Sequence, residues 1–168
     1  MLQNLALILF PAMMAFAAVS DLLTMTIPNK ISLVLVAAYF ILAAWLGTPW
    51  DAVALHVGAG LCVLALTLLA YLPGWIGGGD AKLAAATALW IGWENLVDYG
   101  ILASLAGGGV TLIVLAIGWL DFYEYFRAFP FARLLARKFN CVPYGIALAI
   151  GGLLIYPHTE MWRGLAAL

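Results

Sequence analysis

The sequence predicts an all-α, polytopic integral membrane protein with six transmembrane helices, on three observations. Hydrophobic residues make up 67% of the 168 and charged residues 9%, with a strongly positive mean hydropathy; no soluble globular domain has that composition. Its apolar runs approach the ~20 residues that one bilayer crossing needs. No stretch alternates apolar and polar residues as a barrel strand would, and in lipid only helices or closed barrels satisfy the backbone. The chain 1–168 reads as a single membrane-embedded domain, without a long linker or low-complexity tail.

Six spans follow in order: Leu5 to Ser20, Ile31 to Leu46, Ala52 to Leu72, Ala81 to Val97, Gly100 to Leu120, and Val142 to Tyr156. The first, second and sixth are short, so they are expected to run into their flanks or to sit in thinned bilayer. Span one is expected to continue helically past Asp21 toward Thr26. Pro28 stops it, because the residue before a proline is pushed out of the helical region, and Asn29-Lys30 then begins the turn into span two. This first segment is apolar like a signal peptide, but it lacks a basic start and an A-x-A-like cleavage site, so it is expected to be retained.

Charge gives an orientation. The segments after spans one, three and five hold Lys30, Lys82, Arg127, Arg133, Arg137 and Lys138, and the other side holds only Arg163. Basic loops stay in the cytoplasm, which puts both termini outside and the ends of spans one and three inside. Most of this bias comes from Asp121 to Asn140, where Phe122, Tyr123, Phe126, Phe129, Phe131 and Phe139 are interleaved with four basic residues. That stretch reads as an interfacial amphipathic segment held by its aromatic residues and by anionic lipid, or simply as an orientation anchor.

Two aspartates stand at the cytoplasmic ends of spans: Asp21 after span one, and Asp80 in Gly77-Gly78-Gly79-Asp80-Ala81-Lys82-Leu83. An ionisable group at membrane depth is costly and marks a candidate functional site. Taken singly, each has a plain alternative: Asp80 as the N-cap of span four behind an ordinary glycine turn, Asp21 as a snorkelling interfacial aspartate. Three glycines in a row allow φ > 0 and the close approach of another chain, as a protease needs when it holds a substrate extended.

Together these segments resemble the signature motifs of the type IV prepilin peptidases, the GxGD aspartyl proteases of six membrane helices. Asp21-Leu22-Leu23-Thr24-Met25-Thr26-Ile27-Pro28-Asn29 resembles the family's aspartate followed by Ile-Pro-Asn. Gly77-Gly78-Gly79-Asp80-Ala81-Lys82-Leu83 resembles its Gly-x-Gly-Asp-x-Lys-Leu. Val142-Pro143-Tyr144-Gly145 is similar to the Pro-Tyr-Gly that opens its last helix.

The resemblance implies Asp21 and Asp80 as catalytic residues, and Gly77, Gly78, Gly79, Pro143, Tyr144 and Gly145 as substrate-binding residues. It also implies a prepilin substrate: a short basic leader in the cytoplasm, then a hydrophobic helix in the membrane, cut at their boundary. The expected location is a prokaryotic cytoplasmic membrane, with lipids around the chain and no nucleic-acid partner.

One departure is informative. Members of the larger branch carry a Cys-x-x-Cys insert between spans one and two and methylate the new N-terminus. About ten residues lie there in this chain, and its two cysteines, Cys62 and Cys141, are far apart, so no four-ligand zinc site is expected. The chain therefore resembles the short, protease-only branch associated with Flp or tight-adherence pili, with no cofactor, no metal and no methyl transfer implied.

In the aspartic protease mechanism two neighbouring carboxyls share one proton; the ionised one activates water and the neutral one polarises the scissile carbonyl. Helix dipoles favour an anion at Asp80, before span four, over Asp21, near the end of span one, so the proton is expected on Asp21.

Other groups read as structural. His56 and Cys62 are six apart on a helix and point to different faces. Glu94 and Asp98 fall on the outer side. Ala147, Gly151 and Gly152, with Gly107 to Gly109, suit close helix packing, and Gly145 additionally suits substrate access. Two alternatives of other classes remain: a proton- or cation-coupled transport component, and a catalytically silent pilus assembly protein. Transport would favour polar residues deep in several spans and an internal repeat, neither of which is seen.

Overall fold

The computed structural model describes residues 2–119 and 142–167. The basic aromatic stretch Asp121 to Asn140 and Cys141 lie outside the described residues. The elements, in order, are α1 (Leu2–Thr24), α2 (Asn29–Leu46), α3 (Trp50–Tyr71), α4 (Gly78–Ile91), α5 (Leu96–Trp119), α6 (Tyr144–Ile155), a 3-10 turn (Tyr156–His158) and α7 (Glu160–Ala166). No strand occurs among the described residues.

Four helices, α1, α2, α3 and α5, are long and apolar enough to cross a bilayer, and the protein is a multi-pass membrane protein. The other two sequence spans are present as helices but shorter: α4 has 14 residues and α6 has 12. At 1.5 Å per residue they reach about 21 and 18 Å, against ~30 Å of hydrocarbon. Span four, read as Ala81 to Val97, is broken by Gly92, whose φ of 72° ends α4, and its last residues begin α5.

The reason is position. Residues Ala81, Leu83, Ala84 and Ala86 to Ile91 of α4 are buried, so this helix is covered by protein and need not match the bilayer.

Helix α4 is the hub, packed mainly on α3, then on α2 and α6, while α6 packs on α5 and α1. Small residues let these axes close up. A Cβ added to Gly151 would stand 3.0 Å from the Ala103 backbone nitrogen of α5, and one on Gly152 would be 3.1 Å from Thr87. Gly107 likewise faces Tyr144 and Ala147, but Gly108 and Gly109 face nothing within 4 Å among the described residues, so their expected packing role is not seen there.

The core is aromatic where α1, α2, α4 and the 3-10 turn converge. Phe10, Tyr39, Trp90 and Tyr156 are fully buried, with Phe10 stacked on Tyr156 at 4.5 Å between ring centres. Trp90 donates its indole N–H to the Leu35 carbonyl at 2.9 Å, which satisfies the polar edge of a buried ring. His56 is also structural: its Nδ1 lies 2.8 Å from the Leu89 carbonyl and its ring stacks on Tyr39.

Two helix boundaries bear on the site. Helix α1 runs to Thr24 and closes on Met25, whose φ of 53° lies in the left-handed region. That conformation costs a non-glycine residue roughly 1–2 kcal/mol. It turns the chain so sharply that only Met25 to Pro28 connect α1 to α2. Asn29 and Lys30, expected in a turn, instead form the first turn of α2 behind Pro28.

Candidate active site

Three helix ends meet at one end of the bundle. Asp21 comes from the last turn of α1, Asp80 from the first turn of α4, and Gly145 from the first turn of α6. Ile27, in the link between α1 and α2, is the residue they close around. A Cβ on Gly79 would lie 3.1 Å from the Ile27 Cβ and 3.2 Å from its carbonyl oxygen; one on Gly145 would lie 2.7 Å from the Ile27 Cδ1. Side chains at either glycine would force the helix ends apart.

Asp21 is only 5% exposed. The backbone N–H of Gly145 donates to its Oδ2 at 2.7 Å, a contact between residues 124 apart in sequence. A charge-assisted bond of this kind is about twice as strong as a neutral one, and it comes from the N-terminal turn of a helix, where a negative charge is favoured. The same Oδ2 is 2.8 Å from where a Gly145 Cβ would be. Gly145 thus both donates to the carboxyl and leaves room for it.

Asp80 stands at the third position of α4, one residue ahead of the apolar run. The N-cap is Gly77, not Asp80 as the plain reading had it, and the Asp80 Oδ2 reaches back to accept the Gly77 N–H at 3.3 Å. That is the carboxylate half of a capping box. Its Oδ1 is buried without a hydrogen-bond partner. Burial first, and the negative charge of Asp21 second, push the Asp80 carboxyl up from the ordinary range to about 6, against the Gly77 N–H, which pulls it down. The two carboxyls therefore influence each other electrostatically.

The triple glycine does not use the positive φ that its sequence allows. Gly78 and Gly79 are already helical, Gly77 is extended at φ −75°, and none of the three has a positive φ; that conformation falls to Gly74, at 80°. What the site uses is the missing Cβ: Gly77 leaves space for Asp80 Oδ2, Gly78 for the Tyr71 ring and Gly79 for Ile27.

Pro143 is buried as the N-cap of α6. Tyr144 is 41% exposed and its ring lies against Gly107 of α5.

Two contacts escaped the sequence reading. Lys82 Nζ donates to Asn29 Oδ1 at 2.9 Å, tying the start of α4 to the start of α2. Ile27 fills the space between Gly79 and Gly145. Both residues of the first motif, Ile27 and Asn29, were visible in the sequence, but nothing local said what they would touch.

Among the described residues, no three His, Cys, Asp or Glu side chains converge as a metal site would require. Glu94 and Asp98 are exposed.

The chain has relatives among known proteins. The family described as "Type IV leader peptidase family" matches residues 8–113. A prepilin leader peptidase/N-methyltransferase of Burkholderia pseudomallei is 35% identical over 132 residues, covering 74% of this chain and 41% of that protein. One from Pectobacterium carotovorum is 33% identical over 156 residues, 88% of this chain and 49% of the relative. One from Bacillus subtilis is 30% identical over 165 residues, 94% and 59%. The chain thus spans about half the length of the curated relatives it matches. No solved structure matches it.

Proposed function

Because the chain belongs to the type IV leader peptidase family, we propose that it is an aspartic endopeptidase that removes the basic leader of Flp-type prepilins at the cytoplasmic face of the membrane. The observation that carries this reading is the convergence of the helix ends that bear Asp21 and Asp80, with Gly145 donating to Asp21 and both Gly79 and Gly145 closed on Ile27.

Asp80 holds the shared proton and Asp21 acts as the base, the reverse of the assignment that each aspartate's own helix suggested. Asp21 has the N–H donor and helix N-terminus of α6 beside it, and burial with the nearby Asp21 charge raises the Asp80 carboxyl to about 6. Asp80 Oδ1, buried and unpartnered, is the oxygen that donates to the scissile carbonyl, while Asp21 takes a proton from the attacking water. The substrate's cleavage boundary must leave the helical state, since helical carbonyls are already hydrogen-bonded. Gly77, Gly78, Gly79, Pro143, Tyr144 and Gly145 form the surroundings in which it is held.

Purified protein in detergent, given an Flp-type prepilin, should cut it once, between leader and hydrophobic helix. Because the neutral form of Asp80 is required, the rate should fall as pH rises through about 6. A rate that climbs steadily between pH 5 and 8 would remove Asp80 as the acid. Cleavage should survive chelators, and the new N-terminus should stay unmethylated with S-adenosylmethionine present, since only Met25 to Pro28 connect α1 and α2. A methylated product from this chain alone would refute the protease-only assignment.

Orientation has its own check. With Cys62 and Cys141 replaced, a single cysteine at Thr24 or Ile76 should be labelled from the cytoplasm, and one at Thr48 or Asn95 from outside. Labelling of Thr24 and Ile76 from opposite sides would rule out a shared site.

A further inference from the structure

A groove of about 580 Å³ runs between α2, α3 and α4, apart from the aspartates. Its walls are apolar, formed by Leu33, Val36, Phe40, Leu61, Leu64 and Leu89, and Leu33 and Leu61 are exposed. Its mouth is not apolar. Asn29 and Lys30 from the first turn of α2 and Lys82 from α4 stand there, at the end of the bundle that carries Asp80.

Among the described residues no carboxylate lies within ion-pair distance of either lysine. Ser32, in the wall just below them, is buried, and its hydroxyl has no hydrogen-bond partner.

These features select an occupant. Two lysines over an apolar trough call for an anionic head on a hydrocarbon body. From Asn29 to Phe40 the groove follows α2 for about 16 Å. A hydrocarbon chain laid along it meets apolar side chains over that length and brings its anionic head to Lys30 and Lys82.

We propose that this groove binds an anionic phospholipid, one acyl chain lying between α2, α3 and α4 and the headgroup phosphate held by Lys30 and Lys82. Lys82 then holds the phosphate while it donates to Asn29, since an ammonium carries three donors. The Ser32 hydroxyl turns about χ1 to meet the glycerol or ester oxygens. This assignment does not depend on the proteolytic reading, and its test does not measure proteolysis.

Native mass spectrometry of the full chain in mild detergent, titrated with phosphatidylglycerol or with phosphatidylcholine of the same acyl chains, reads the site directly. At about 1 kcal/mol per basic residue, two lysines give phosphatidylglycerol an advantage of roughly 30-fold. Lys30→Gln with Lys82→Gln should bring the ratio to within about threefold. Lys30→Gln alone, at an exposed side chain with no hydrogen bond of its own, should lower it about fivefold with an unchanged helical circular dichroism spectrum. Ala85→Leu, which narrows the trough, should weaken both lipids. Equal binding of the two lipids by the wild type, or an unchanged ratio in either lysine variant, would overturn the proposal. So would displacement of phosphatidylglycerol by an equimolar hydrophobic helical peptide, which would give the groove to a polypeptide.

Discussion

Asp21→Asn and Asp80→Asn are each expected to lower prepilin cleavage by about 10²- to 10⁴-fold, the range that a positioned acid or base contributes. Both variants should insert and fold. An asparagine amide oxygen can still accept the Gly145 N–H at position 21 and the Gly77 N–H at position 80, so the contacts that hold α6 and α4 in place survive. What is lost is the ability to take up or release a proton. The double variant should be no worse than the poorer single one, because residues that act as one unit do not contribute additively. Near wild-type cleavage by either single variant would take that residue out of the site.

Gly145→Ala is the second large effect, and it arises without any change of charge. The new methyl would lie 2.7 Å from the Ile27 Cδ1 and 2.8 Å from the Asp21 Oδ2. Either the carboxyl is displaced or the start of α6 moves away and takes its N–H donor with it. A displacement near 1 Å is worth about 10²-fold in rate, and overpacking costs about 1–3 kcal/mol of stability. Gly145→Val should lose cleavage altogether. Gly108→Ala is the control: nothing among the described residues lies within 4 Å of its new Cβ, so activity should stay within about twofold. Equal activity in Gly145→Ala and Gly108→Ala would mean that Gly145 does not position Asp21.

Much of the site was legible because the chain is so poor in charge. Against a 9% charged background, aspartates at the ends of apolar runs stand out, and the glycines and Pro-Tyr-Gly beside them name the helix ends that must meet. Less legible was anything set by packing between distant segments. The length of α4 is one case: the apolar run from Ala81 to Val97 looks like a span, yet burial on most sides lets Gly92 end the helix after 14 residues. Gly78 and Gly79 are another, since a glycine admitted for φ > 0 and one admitted for the Ile27 side chain look the same in a sequence.

The proton assignment turned on the same limit. Judged by its own helix, Asp21 sits at an unfavourable C-terminus for an anion. The donor on which the proposed reversal rests belongs to α6, 124 residues away, and local electrostatics had no access to it.

The central claim is that Asp21 and Asp80 titrate as one unit, and infrared spectra of the protonated-carboxyl band against pH test it most directly. In the wild type the band should disappear with a midpoint near 6, and Asp80→Asn should lack it. In Asp21→Asn the band should remain but its midpoint should move down, because the negative charge that helps raise Asp80 is gone while its burial is not. A midpoint that is the same in Asp21→Asn as in the wild type would show two independent carboxyls and contradict a shared site.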